Sequence, residues 1–298
     1  MTEFFSLPPL PILLDRIEAI LSVLFRIKTL KKWKQKGAKI VHTHHDEITH
    51  YTKQPEESKK LFDIIESEAN AIIHLGHYSK ERFLEMKMIS GQLHYVIPHH
   101  IYDTIHSNKI SGNEARELLN INAGKFVILA FGSFHAQEEK KLIANAFEQL
   151  NLPDKLLLSP SWYYNNDRKD MTKSDCFLGE VHVEEEMVPY YFAAADVVFL
   201  QRLKTINSGN LSMAFLFNKT VVGPAIGNMN EYLDNVHNFS FNPYKPQSVI
   251  SALEAAYARY QSPQINKQYA LDHWTTAKIA EMHPFYLCIF HSKYCAAT

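Results

Sequence analysis

Cysteine is scarce in this chain: three in 298 residues, at positions 176, 288 and 295, with no pair at CxxC spacing. That argues against a disulfide framework and fits a reducing compartment. Neither sign of charge is in excess. Thirty-one lysines and arginines face 32 acidic residues, for a formal net charge of -1, so composition makes no case for a nucleic-acid partner. No apolar run reaches the ~18–20 residues needed to span a bilayer. The N-terminus lacks the charged, apolar and small-residue segments of a signal peptide, so the expected location is the cytoplasm. Internal repeats and low-complexity tracts are also missing.

What remains is globular. Hydrophobic residues make up 46% of the chain and charged residues 21%. The length suffices for two domains with a substantial core. Residues 12–35 read as a helix, because Leu13, Leu14, Ile17, Ile20, Leu21, Leu24, Phe25 and Ile27 recur at helical spacing. Lys28, Lys31, Lys32, Lys34 and Lys36 crowd its C-terminal end, where cations complement the helix dipole. Short apolar strands are predicted at Ala38–Val41, Ala71–Leu75 and Tyr95–Pro98, with helices at Ser58–Asn70 and Tyr78–Met86. After a polar stretch near 100–112 the rhythm restarts. Helices are predicted at Glu114–Leu119, Glu138–Leu150, Val188–Ala195 and Ser248–Ala258, the last with Ser248 as its cap. Strands are predicted at Phe126–Phe131, Lys155–Ser159 and Val197–Leu200. Alternation of this kind implies βαβ units and parallel sheets. The expected architecture is α/β, with an incomplete Rossmann-like lobe over 1–105 and a second lobe over 106–275. A helical segment over 276–298 would follow, returning to the first lobe. Ligands of such folds bind at the carboxyl ends of the strands. The loops starting at Thr43, Gly132, Gln201 and Gly223 are of that kind.

The stretch Ile206-Asn207-Ser208-Gly209-Asn210 precedes the apolar Leu211–Phe217, and Val221-Val222-Gly223-Pro224-Ala225-Ile226-Gly227-Asn228 follows. It reads as loop, helix, buried strand and second glycine loop. Ser208, Gly209 and Asn210 stand where a helix begins, and such a turn offers unpaired N–H groups and a positive dipole end. Two polar, glycine-bearing loops at successive strand ends suggest a nucleotide-diphosphate ligand. Two ordinary βα turns would leave the same pattern.

Several motifs in order carry a family resemblance. They are Pro98-His99, Phe131-Gly132, Tyr191-Phe192-Ala193-Ala194-Ala195-Asp196-Val197-Val198, Asn207-Ser208-Gly209, Gly223-Pro224, Gly227-Asn228 and Glu231. Together, over roughly 38–275, they resemble the GT-B glycosyltransferases of family 4 (the "group 1" transferases). Thr43-His44-His45-Asp46, with His50 beyond, is similar to a pattern in bacterial polysaccharide transferases. The resemblance implies retaining, metal-independent transfer of sugar from a nucleoside-diphosphate sugar to a saccharide or lipid-linked hydroxyl acceptor. No cofactor is implied beyond the donor substrate. The chain starts at what looks like the family's third strand, so the first βαβ of the N-terminal lobe is expected to be lacking.

By the same resemblance, His45 would contact the transferred sugar or acceptor, and Asp46 would take the acceptor's proton or position it. Gly132 would let a phosphate approach a strand end, and His135 would stand in for a cationic phosphate ligand. Asn207, Ser208, Gly209, Asn210, Gly227 and Asn228 would hold the diphosphate, and Glu231 the ribose hydroxyls. The chain departs from the family where Thr205 and Met213 replace two glutamates. It departs again where His135 and Glu138 replace an arginine and a lysine. Arg202 would supply the missing charge, its planar guanidinium suiting a phosphate.

Two rivals stand beside this reading. One is a sugar-nucleotide-binding protein without catalysis. The other is a metallohydrolase built on His42, His44, His45 and Asp46, with His74, His77, His99 and His100 available. Alternation along a strand puts His42 and His44 on one face and His45 elsewhere. The basic, apolar helix over 12–36 suits peripheral contact with an anionic membrane, at the inner face of the cell membrane, as well as it suits covering a sheet.

Overall fold

A computed structural model describes residues 24–45, 55–87, 91–106, 109–162, 175–179, 183–234, 237–261 and 265–282. Asp46, His50, the predicted helix before residue 24, and everything after 282 lie outside the described residues. The chain divides into two compact units, one running to Val96 and the other starting at Ile97.

In the first unit, helix α1 occupies residues 24–35. It ends in a Schellman motif: Ala38 N–H donates to the Trp33 carbonyl at 3.1 Å and Gly37 N–H to Lys34 at 2.9 Å. Ala38 is thereby consumed by the helix cap, and strand β1 begins later than predicted, at Val41–His44. Thr43 and His44 are strand residues rather than loop. Helix α2 (Pro55–Glu68), β2 (Ala71–His74), α3 (His77–Met86) and β3 (Leu93–Val96) follow. The predicted third strand shifts back because Leu93 N–H is taken by the Asn70 carbonyl at 3.1 Å. The sheet is parallel throughout, in the order β1-β2-β3. Its register sets His42 beside Ile72 and Ile72 beside His94, with His44 beside His74. These residues share one face, as alternation predicts.

The second unit begins ahead of the polar stretch expected to divide the lobes. Ile101 N–H donates to the Trp274 carbonyl at 3.0 Å, and Asp103 Oδ1 accepts from Thr276 N and Oγ1 at 2.9 and 2.7 Å. These bonds fasten Ile101 and Asp103 to Trp274 and Thr276. The elements are α4 (Gly112–Leu118), β4 (Phe126–Leu129), α5 (Gln137–Gln149), β5 (Lys155–Ser159), β6 (Cys176–Leu178), α6 (Val188–Ala194) and β7 (Val197–Phe199). Then come α7 (Gly209–Leu216), β8 (Thr220–Pro224), β9 (Asn238–Phe241), α8 (Pro246–Tyr257), α9 (Asn266–His273) and α10 (Thr276–Met282). Strands β6 and β9 were not predicted; both are only partly buried, so neither shows the continuous apolar run of the central strands. Ser248 does not cap α8. Pro246 opens that helix, and the Ser248 hydroxyl ties back to the Asn242 N–H and carbonyl at 3.0 Å each.

All six strands run parallel in the order β6-β5-β4-β7-β8-β9. Alternation along β4 splits the core in two. Phe126 and Ile128 face Ile143, Phe147, Val249 and Leu253 of α5 and α8. Val127 and Leu129 face Phe192, Leu211 and Phe215 of α6 and α7. Both faces are covered, so the strands read as continuous apolar runs. Asp196 locks the start of β4: its Oδ2 accepts from Arg116 Nη2 at 2.7 Å and from Val127 N at 2.8 Å.

Candidate functional site

In the second unit the chain winds outward from β4 on one side and from β7 on the other. Numbered within the unit, the strand order is 3-2-1-4-5-6, the doubly wound order whose ligands sit where the winding reverses. The switch point lies between β4 and β7. The loops leaving these strands are Ala130–Ala136 and Leu200–Ser208. They carry Gly132 and His135 on one side, and Arg202, Asn207 and Ser208 on the other.

Hydrogen bonds fix these loops to each other. The Phe131 carbonyl accepts from Gln201 Nε2 and Asn210 Nδ2, each at 2.8 Å. Glu139, in the first turn of α5, is buried and accepts from Arg202 Nη1 at 3.1 Å, His135 N at 2.8 Å and Leu203 N at 3.2 Å. Asn228 Nδ2 donates to Asn207 Oδ1 at 2.6 Å, and Asn228 N–H to the Ile206 carbonyl at 2.8 Å. Three loops thus arrive with their polar groups already paired, which reduces reorganisation when a ligand binds.

Two glycines make this packing possible. Gly132 leaves β4 at φ +87°, a left-handed conformation that strains other residues. Gly227 sits at φ +60°, and a Cβ there would lie 2.5 Å from the Ile206 carbonyl oxygen.

Each predicted site residue except Asp46, which lies outside the described residues, has a definite place. Ser208 is the N-cap of α7 by backbone, but its side chain makes no capping bond. Gly209 and Asn210 open α7, with the Asn210 amide turned to Phe131. Gly227 and Asn228 belong to a short 3-10 turn at Gly227–Glu231, so Asn228 lies inside the turn rather than capping a helix. Its side chain is buried. Glu231 and His135 are exposed. Gly223 falls inside β8, so the second loop begins only after Pro224. Arg202 is committed to Glu139. Thr205 donates to the Asn207 carbonyl at 2.6 Å, and Met213 is buried in the core. His45 is exposed at the end of β1, in the other unit.

Glu139 and Tyr102 escaped the sequence reading. Glu139 had a signal: an acid at the third helical position commonly reaches back to the residues before the helix. Tyr102 had none. It adopts φ +59°, and its hydroxyl approaches to 2.7 Å the point where a Gly209 Cβ would stand, with His99 Nε2 at 3.2 Å.

A second polar cluster lies in the first unit, on the face shared by His42, His44, His74 and His94. His44 Nδ1 is 2.9 Å from Glu66 Oε1, and His42 Nε2 is 3.8 Å from the same oxygen. Lys87 bonds the other Glu66 oxygen and reaches Asp63 at 2.7 Å. His74 Nε2 meets His94 Nδ1 at 3.0 Å. Burial pushes the His74 imidazole down to about 3, with His44 and His94 adding to the effect. Burial also lowers His42. For Glu66, burial favours the neutral acid, but hydrogen bonds from His44 and Lys87 outweigh it and hold the carboxyl below its ordinary range. Of the residues offered for a metallohydrolase, His42, His44 and His74 share this face, and Asp46 lies outside the described residues. His77 opens α3 and is exposed, and His99 and His100 belong to the other unit. Glu66, which the sequence reading passed over, is the acid that joins His42 and His44.

No protein-family model matches the chain, and no curated protein matches it in sequence. Solved structures do match. HepE of Anabaena in complex with UDP aligns with TM-score 0.69 at 16% identity, covering 88% of this chain and 75% of that one. Sucrose-phosphate synthase of Thermosynechococcus elongatus aligns with TM-score 0.67 at 16% identity, covering 87% and 70%. A glycosyltransferase of Rickettsia africae aligns with TM-score 0.61 at 12% identity, covering 100% and 85%. The fold is GT-B. Both Rossmann-like parallel sheets expected of it are present. At these identities the likeness speaks to fold, and the chemistry must come from the residues.

Outside these sites, α1 exposes Leu24, Phe25 and Trp33. A groove of about 230 Å³ runs between α1 and α2, lined by Phe25, Leu30, Trp33, Leu61 and Ile65 among others. Among the described residues, no helix is long and apolar enough to cross a membrane.

Proposed function

We propose that this chain is a glycosyltransferase that moves a sugar from a nucleoside-diphosphate sugar to a hydroxyl acceptor, saccharide or lipid-linked. The observation that carries the reading is the switch point between β4 and β7, where polar glycine-bearing loops and the N-terminus of α7 converge. Backbone amides and a helix dipole there suit a diphosphate. The likeness to HepE, solved with UDP and with UDP and glucose, supports a donor of this class.

In this reading the donor's diphosphate lies against Ser208, Gly209 and Asn210, close to Gly132, Gly227 and Asn228. Glu231 takes the ribose hydroxyls, and His135 contributes a donor group. Cleavage of the glycosidic bond leaves charge on the phosphate oxygen, and preorganised donors aimed at that charge supply the largest catalytic effect. Arg202, positioned by Glu139, offers its remaining guanidinium N–H groups to the diphosphate. Transfer without a metal and with retention at the anomeric carbon is what the family resemblance implies. His45 and Asp46 serve the acceptor. The exposed aromatic side chains of α1 beside its lysines support peripheral contact with an anionic membrane.

One observation favours a second reading. Thr205 and Met213 stand at the positions matching the family's paired glutamates, which suits a sugar-nucleotide-binding protein without turnover. A thermal-shift screen with UDP-, GDP- and dTDP-sugars tests the site, because native-state binding raises the melting temperature. Arg202→Ala and Glu231→Ala should each weaken donor affinity by roughly 1–3 kcal/mol. Unchanged affinity in both would refute the donor placement. Binding with no donor hydrolysis or transfer would favour the second reading.

A further inference from the structure

The buried face of the first unit carries imidazoles where a Rossmann-like sheet ordinarily carries aliphatic side chains. Its apolar cluster is small: Ala69, Ile72 and Phe83, with Ile40 packed against them. Around it stand His42 and His44 on β1, His74 on β2 and His94 on β3, under Glu66 of α2. Glu66 is 1% exposed and His44 3%. Placing a carboxylate and several imidazoles in such a core costs free energy unless something uses them.

Lys87 takes only one Glu66 oxygen. The other, Oε1, faces His44 Nδ1 at 2.9 Å and His42 Nε2 at 3.8 Å. His42 Nε2 is buried and has no hydrogen-bond partner among the described residues. The three donor atoms all lie within 4.8 Å of one another. Tetrahedral zinc, with bonds of ~2.1 Å, sets its ligands ~3.4 Å apart, so shifts of about 1 Å or less would close the triangle.

We propose that His42, His44 and Glu66 form a binding site for a divalent transition metal of the zinc class, with a water molecule as the fourth ligand. Two imidazoles and one carboxylate are the ligand set such ions prefer over magnesium or calcium. Glu66 binds through Oε1 alone, while Lys87 holds Oε2 and fixes the carboxylate plane, a common outer-shell arrangement. The hydrogen bond between His44 and Glu66 is exchanged for two bonds to the ion. Entry is by way of His42, whose side chain is 14% exposed. The site pins β1, which pairs only with β2 among the described strands, to the last turn of α2. The proposal does not rest on the proposed sugar transfer.

The test titrates zinc(II) alone into the full chain after treatment with a chelator, by calorimetry, with cobalt(II) visible absorption as a second probe. One saturable equivalent per chain is expected, with cobalt bands of four-coordinate intensity. Zinc should raise the melting temperature. His42→Gln and Glu66→Gln should each weaken binding at least about tenfold, a loss that outer-shell changes alone reach. His273→Ala, at an exposed histidine, should leave it unchanged, as a control for incidental binding there. Circular dichroism of the metal-free variants separates loss of the site from loss of the fold, and His42→Gln is the milder change. No saturable binding by the parent chain, or parent-like binding in both folded variants, overturns the proposal.

Discussion

Replacing Gly227 by alanine gives the sharpest test of how the switch-point loops are held. A Cβ at 227 would stand 2.5 Å from the Ile206 carbonyl oxygen, 2.8 Å from that of Thr205 and 2.9 Å from Ile206 Cα. All three are backbone atoms, so no side chain can swing away. The left-handed φ costs an L-residue about 1–2 kcal/mol. Reduced freedom of the unfolded chain returns about 0.4–1 kcal/mol. Relieving the clash separates the two loops, stretching the bond from Asn228 N–H to Ile206 and that from Asn228 Nδ2 to Asn207. Both involve a buried residue, and a buried polar group left unpaired costs about 1–3 kcal/mol. The expected loss is about 3–4 kcal/mol. Gly132→Ala is the control. Its φ is also left-handed, but the nearest atom to a new Cβ is Asn210 Nδ2 at 4.0 Å, so only the backbone strain applies and the loss is about 1 kcal/mol. A chain of two units need not unfold in one step. Of its three tryptophans, Trp162 and Trp274 are buried in the second unit and Trp33 lies in the first. In a Trp33→Phe background, fluorescence during urea unfolding reports the second unit alone. Equal destabilisation by the two substitutions would refute the claim that close approach at Gly227, rather than backbone conformation, fastens the loops.

Glu139→Gln should lower stability by about 1.5–3 kcal/mol, because charge-assisted bonds to Arg202 and two backbone amides are weakened. A double-mutant cycle with Arg202→Ala should show coupling above about 0.5 kcal/mol, and strict additivity would dissolve the proposed pair. Burial pushes the Lys219 ammonium, which donates to the Ala193 carbonyl at 2.8 Å, down to about 8. Its folded value then lies below the unfolded one, so between about pH 8 and 10 the unfolded chain binds more protons and stability rises with pH, by at most about 3 kcal/mol. Above about pH 10, tyrosines raised by burial, Tyr232 foremost, reverse the trend. Lys219→Met should flatten the rise in chemical-denaturation midpoints measured across that window, and a rise that persists would assign it to another group.

The strand and helix order was legible because each buried strand is a short apolar run and each covering helix repeats its apolar residues at helical spacing. Phe126 to Leu129 and Val197 to Phe199 needed no tertiary information. The glycine loops were legible too, since Gly132, Gly209 and Gly227 mark points where backbone must turn or be approached. Residues whose meaning depends on a partner far along the chain were not. Glu139 reads as an acid opening a helix until the loop after β7 brings Arg202 to it. Tyr102 reads as a surface aromatic until it meets Gly209. Ala38 reads as strand until the cap of α1 claims it.

Local periodicity thus determined that this is an α/β chain with parallel sheets, because burying both faces of a strand imposes a pattern that any window of residues displays. Only the tertiary structure decided the strand order, the switch point and the company of each polar side chain. Glu66 shows the reason: its neighbours His42 and His44 lie more than 20 positions away, and contacts across such distances leave no trace in the spacing of residues.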